Sequence, residues 1–185
     1  MTDTITIEEW RPDLVSAALV DADVDALAEV LRAVVYGGAG VSFYVPFPIE
    51  DARAFWRDKV LPGVRARTRR VVVARVDGRV VGTVQLEMST PPNQRHRADV
   101  LKLLVHPEVR RRGTARALMI ALEAIAREEG RTLLTLDTVT GSAAEPLYVS
   151  LGYTIVGVIP RYARTALSEE LEAATFMYKE LRASP

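Results

Sequence analysis

The sequence predicts a single mixed α/β domain, and three features predict it. Residues 100–126 read as a buried strand, a glycine-bearing basic loop and an amphipathic helix. Residues 71–86 read as a β-hairpin with Asp77-Gly78 at its two-residue turn. A further short buried strand at 132–138 follows the helix, so strand, helix and strand form a crossover that pairs the two strands in parallel. With 185 residues, 49% of them hydrophobic, the chain suits one domain over residues 1–185 with a sizeable core.

Thr4-Ile5-Thr6-Ile7 alternates polar and apolar and predicts a first strand, ended near Arg11-Pro12. Residues 14–19 predict a short helical turn. A helix over 21–35 follows, with Val24, Leu27, Leu31 and Val34 on one face and Asp21 or Asp23 as N-cap. Glycines and prolines between 37 and 49 break regular structure, yet Phe43, Tyr44 and Phe47 make that loop aromatic. Such a loop either folds back onto the core or walls a substrate pocket. A second helix, over 51–60, stops at Pro62-Gly63. The basic run at 65–70 reads as a solvated face.

After the hairpin, the turn at 90–95 leads into a strand over 98–105, completing an antiparallel three-strand meander. His106-Pro107 ends that strand, because proline cannot donate to the ladder. The central helix starts near Gly113-Thr114 and puts Leu118, Met119, Leu122, Ile125 and Ala126 on one face; Gly130 stops it. Residues 141–152 predict a turn and a short helix closed by Gly152. A strand at 153–159, a polar loop at 161–172 and a last strand at 174–181 complete the chain.

Composition excludes several classes. Lys+Arg and Asp+Glu are equal at 24 each, so no global basic field exists for nucleic acid, and any anion site is local. There is no cysteine and there are only two histidines, so no metal centre is expected. The N-terminus lacks a signal-peptide pattern and no apolar run approaches ~18 residues; no membrane partner is expected and a cytoplasmic location is. A twofold dimer is the expected assembly, since small oligomers are most often of that kind.

The local anion site is the loop Arg110-Arg111-Arg112-Gly113-Thr114-Ala115. A helix opening there offers unpaired N–H groups, a positive dipole end and three guanidinium groups, which suit a phosphate or pyrophosphate. Gly113 has no Cβ, so an anion can approach the main chain. No Gly-Lys-Ser/Thr follows and three glycines are lacking, so this is neither a Walker loop nor a dinucleotide fingerprint. The bland alternative is a solvated basic turn.

Arg110-x-x-Gly113-x-Ala115, after Leu103-Leu104-Val105 and before an amphipathic helix, resembles the coenzyme A signature of the GNAT superfamily of N-acetyltransferases. Ala144-x-x-Leu147-Tyr148-x-x-Leu151-Gly152-Tyr153 is similar to the segment that flanks the coenzyme A arm in that family. A closer resemblance, to the tabtoxin-resistance acetyltransferases, runs through residues 96–99, 102–105, 136–138 and 159–163. Gly141 stands where many members carry an asparagine that holds the pantetheine; Ser142 is the substitute. The resemblance implies the GNAT fold, an α/β (α+β) arrangement in which a mixed, mostly antiparallel sheet of six to seven strands carries helices on both faces. It also implies acetyl-CoA as co-substrate, held by Leu103, Leu104, Val105, residues 110–115 and Ser142.

The implied activity is direct transfer of an acetyl group from acetyl-CoA to the amine of a small molecule, such as an amino-acid-like toxin or antibiotic. The Val105 N–H polarises the thioester carbonyl in that reading; preorganised donors of this kind are worth ~2.7–4 kcal/mol. Tyr148 is the general acid, because a phenol of pKa about 10 suits protonation of a departing thiolate of pKa about 8.5. Asp99 and Asp137, on the two central strands, are candidates for the base that takes the ammonium proton, with Glu87 a weaker third. Phe43, His96 and Tyr162 are the expected acceptor contacts. Two other readings compete: a catalytically silent acyl-CoA-binding module, and a nucleic-acid binder using Arg110–Arg112 with the run at 65–70.

Overall fold

The computed structural model describes residues 4–181. Seven strands form one sheet: β1 (Ile5–Glu9), β2 (Arg69–Val76), β3 (Arg79–Glu87), β4 (Arg97–Val105), β5 (Leu133–Val139), β6 (Thr154–Arg164) and β7 (Leu171–Glu180). Their spatial order is β1-β2-β3-β4-β5-β7-β6. Every pairing is antiparallel except β4 with β5. This is the expected fold, with the parallel pair where the crossover helix requires it. Asp77 (φ 50°) and Gly78 (φ 81°) make the β2–β3 turn, both in the left-handed region that a type I′ hairpin demands.

Helices cover both faces. On one, α1 (Ala17–Tyr36), α2 (Ile49–Ala54) and α3 (Leu61–Arg65) pack with Trp10 and Trp56 against Val71, Val73, Val80 and Leu104. On the other, α4 (Thr114–Glu128) seats Leu118, Met119, Leu122 and Ala126 on Val72, Ala74, Val84, Leu86, Ala98 and Val100. Val71 to Ala74 are buried on both sides, which is why that strand reads as a continuous apolar run rather than an alternation. Each buried aliphatic side chain contributes about 1.5–3 kcal/mol. Gly130 (φ 69°) ends α4 as expected, with the Arg131 N–H reaching back to the Ala126 carbonyl at 2.8 Å.

The helical regions depart from expectation in two places. The turn at 14–19 and the helix at 21–35 are one helix, Ala17–Tyr36, capped by Ser16, whose Oγ accepts from the Leu19 N–H at 3.4 Å. Asp23 lies within it and instead accepts from Trp10 Nε1 at 3.0 Å and from Arg75. The second helix does not stop at Pro62. A π-helical stretch, Phe55–Val60, joins α2 to α3, and its wider turn takes up a proline that has no N–H and crowds the preceding carbonyls.

The C-terminal region also differs. Residues 161–164 extend β6, and β7 begins at Leu171, so the polar loop is shorter than the sequence suggests. The polar residues were misleading because β6 is the outer edge strand, with Thr154 to Ala163 exposed.

Candidate active site

Strand β4 builds the site through two irregularities. Gln85 of β3 pairs with Leu101 and Thr83 pairs with Leu104, so Lys102 and Leu103 together oppose Val84 in a β-bulge. Lys102 adopts φ 52° to make it. The bulge reverses the strand's phase: Ala98 and Val100 face α4, whereas Leu104 enters the opposite core under α1.

The second irregularity is a split. Pairing between β4 and β5 covers only Arg97↔Leu133, Ala98↔Leu134 and Asp99↔Thr135. Beyond it the strands part. The His106 N–H bonds the Val81 carbonyl at 2.8 Å, so the next pair, Gly82↔Val105, is of the non-bonded kind. The Val105 N–H and C=O therefore point away from β3 into the split. The carbonyl there accepts from Arg110 Nε at 3.2 Å.

A cleft of about 670 Å³ runs along this split, lined by Leu103, Leu104 and Val105 on one side and Asp137, Thr138 and Val139 on the other. The anion loop closes one end. Arg110, Arg111, Gly113, Thr114 and Ala115 line the cleft. Arg112 is exposed and is not among the lining residues. Gly113 caps α4 at φ 77°, a left-handed conformation, and a Cβ there would meet nothing within 4 Å, so the approach to the first helical turn is open. Thr114 Oγ1 donates to the Val109 carbonyl at 3.4 Å and faces inward.

Helix α5 (Ala144–Ser150) presents Tyr148 to the same cleft. The ring is buried edge-to-face against Tyr153, centroids 5.7 Å apart. Burial first, and the Asp137 charge second, push its phenol well above the ordinary tyrosine range, so it stays protonated at neutral pH. Ser142 lines the cleft with its Oγ 3.1 Å from Thr138 Oγ1. Gly141 has φ 75° and open space at its Cβ position. Asparagine is among the residues that best tolerate this conformation after glycine, which accounts physically for the exchange noted at that position.

A second cleft, of about 420 Å³, is lined by Asp99, Leu101, Thr135, Asp137, Phe176 and Tyr178, among others. Its β4 and β5 side chains alternate with the buried Ala98, Val100, Leu134 and Leu136, so it opens on the face away from α4. The two clefts share Leu101 and Asp137. Asp137 is thus brought together with Tyr148. Asp99 is not: it lines only the second cleft, where it accepts from Arg97 Nη1 and Thr135 Oγ1. Glu87 is held by Arg69.

Of the expected acceptor contacts, His96 is exposed at the start of β4, remote in sequence from the bulge, and lines neither cleft; its carbonyl accepts from the Thr132 N–H at 2.8 Å. Tyr162 lies on β6 and packs edge-to-face on Phe176, a wall of the second cleft, at 5.3 Å. Phe43 stacks on Phe47 and Phe55, at 4.7 and 5.2 Å, with the neighbouring Val41 and Ser42 lining the first cleft. The aromatic loop packs on the core, and its Val41 and Ser42 line the first cleft.

One cleft residue carried no role in the sequence. Lys102 lines the first cleft, its Nζ 3.0 Å from Ser42 Oγ and 5.8 and 6.0 Å from the Phe43 and Phe55 ring centres. The signal was a lone charge inside the apolar run of residues 100–105.

Comparison with known proteins bears on this arrangement. Residues 35–153 match the family model described as Acetyltransferase (GNAT) family. An uncharacterized N-acetyltransferase from the hisH-hisA intergenic region of Azospirillum brasilense is 31% identical over 122 residues, 64% of this chain and 70% of that one. An N-acetyltransferase from Staphylococcus aureus Mu50 superposes with a TM-score of 0.78 at 16% identity, covering 97% of this chain and 99% of that one. The yncA structure from Salmonella typhimurium, solved with its cofactor acetyl-CoA, gives 0.74 at 21% identity, covering 97% and 95%. The match runs from the end of α1 through Tyr153, and so takes in the bulge, the split, residues 110–115 and Tyr148: the chain belongs to the GNAT family of acetyltransferases.

Proposed function

We propose that this acetyltransferase moves an acetyl group directly from acetyl-CoA to the amine of a small molecule, with Tyr148 as general acid and Asp137 as proton acceptor. Acetyl-CoA is the co-substrate of the family, and the residues present fit it. The open left-handed cap at Gly113 and the first turn of α4 suit a pyrophosphate. The Val105 N–H, turned into the split, suits a carbonyl oxygen. Bound acetyl-CoA supplies an activated acetyl thioester at that point.

The protein's residues then have three tasks. Val105 N–H stabilises charge on the carbonyl oxygen as the amine nitrogen bonds to the acetyl carbon. Asp137, at the border of the two clefts, takes a proton from that nitrogen, directly or through a water. Tyr148 donates its proton to the departing sulfur. The amine enters through the second cleft and the thioester through the first. Their shared border at Leu101 and Asp137 is the observation that carries this reading. The resemblance at residues 96–99 and 159–163 points to an amino-acid-like toxin or antibiotic as the acceptor.

Calorimetry with acetyl-CoA, beside CoA and ATP, tests it first. One-site binding that favours the CoA species, followed by a mass gain of about 42 Da, one acetyl group replacing a hydrogen, on a member of an amine panel, is the expected result. No binding of either CoA species overturns it. Binding without acetylation of any amine favours the silent acyl-CoA module instead.

A further inference from the structure

We infer that Lys102, with Ser42, forms an oxyanion subsite in the first cleft, beside its border with the second at Leu101 and Asp137, so that the amine this enzyme acetylates carries a carboxylate or phosphonate. The inference rests on the reading of the clefts above.

Three observations carry it. First, Lys102 is placed at cost. It holds φ 52° at the bulge, and its partner Ser42 holds φ 76°, both in the region that side chains other than glycine rarely adopt. Two such residues meeting through their side chains at 3.0 Å mark a constrained pair rather than a surface lysine. Second, the ammonium has no ion-pair partner among the described residues. It donates to a neutral hydroxyl. Burial lowers its basicity, Asp137 acts against that, and Arg69 adds a smaller lowering effect. A half-buried cation of this kind gains most from an anion arriving with a ligand. Third, its surroundings suit such a ligand. The Phe43 and Phe55 rings flank the ammonium and exclude water from one side, while the cleft lies open on the other. Asp137, the proposed proton acceptor, is close enough to act electrostatically on both Lys102 and Tyr148. An acceptor held by its anionic end at Lys102 therefore presents its amine toward the reacting groups.

The test uses the full chain and matched acceptors: free α-amino acids, their carboxamides and the corresponding α-aminophosphonates. Acetyl-CoA binding is measured calorimetrically on each variant. In the wild type the acids or the phosphonates are expected to exceed the carboxamides at least tenfold in kcat/KM, the better of the two identifying the oxyanion. Lys102→Gln keeps a hydrogen-bonding partner for Ser42 but removes the charge. Its preference should vanish through a rise in KM for the anionic acceptor, with acetyl-CoA affinity unchanged. Lys102→Arg should retain part of the preference.

Three results overturn the proposal. One is a wild type that uses carboxamides as well as acids, or that accepts no anionic amine of the panel. Another is a Lys102→Gln enzyme whose kcat falls equally on all acceptors at unchanged KM, which makes Lys102 a proton carrier or a structural residue. The third is loss of acetyl-CoA binding in the wild type itself, which removes the underlying reading along with the subsite.

Discussion

Arg110 Nε donates to the Val105 carbonyl oxygen across 3.2 Å, tying the anion loop to the last residue of β4. The group proposed to hold a phosphate and the group proposed to hold the thioester thus share one corner of the backbone. Damage at one should be felt at the other.

Arg110→Ala is accordingly expected to weaken acetyl-CoA binding at least tenfold and also to lower kcat, because it releases the Val105 peptide. Gly113→Val, which forces a β-branched residue to φ 77°, should weaken binding as strongly. Calorimetry and steady-state kinetics on both variants check this. An Arg110→Ala enzyme with altered KM alone would show the corner to be unimportant for turnover.

Tyr148→Phe should reduce kcat by about 10²–10⁴-fold, the usual contribution of a positioned acid, while leaving the dissociation constant for acetyl-CoA within twofold. The isosteric ring preserves the packing on Tyr153. Undiminished turnover would take the phenol out of the mechanism.

The two strand carboxylates should separate. Asp137→Asn is expected to lower kcat/KM for the amine by about tenfold or more at neutral pH. Asp99→Asn should leave turnover nearly intact and lower the melting temperature, because Arg97 then loses its carboxylate partner. Reversed effects would assign the base to the second cleft.

Tyr148 and Tyr153 are both raised above the ordinary tyrosine range, chiefly by burial. Unfolded tyrosines release their protons near pH 10, whereas the folded pair holds them to higher pH. Above about pH 10 the unfolded chain therefore binds fewer protons than the native one, and stability falls as pH rises. Urea midpoints should fall between pH 9.5 and 11, and Tyr153→Phe should flatten the fall. Identical slopes in wild type and variant would refute the assignment.

Much of this was legible in the sequence because the features concerned are local. The Asp77-Gly78 turn, the Gly113 and Gly130 boundaries of α4 and the apolar face of that helix all follow from residues close together in the chain. The Arg110–Ala115 loop ahead of α4 was readable for the same reason. What escaped depends on distant partners. The single helix over Ala17–Tyr36 relies on a Ser16 cap and on Asp23 being taken by Trp10 and Arg75. The capture of Asp99 depends on Thr135, 36 residues away, and the importance of Lys102 on Ser42, 60 residues away.

The shortness of the β4–β5 pairing has a mechanical consequence. Three residue pairs are all that fasten a four-strand panel, β1 to β4, to a three-strand panel, β5 to β7, within the sheet. From Asp99 to Val105 the free edge runs six residues, roughly 20 Å of strand. The panels therefore diverge from a single line at Asp99 and Thr135, with the α4-side core packed across both. A small difference in the angle between them is largest at Val105, the far end of the free edge. A ligand wedged between the panels would set their angle, and with it the separation of Val105 on one panel from Asp137 on the other.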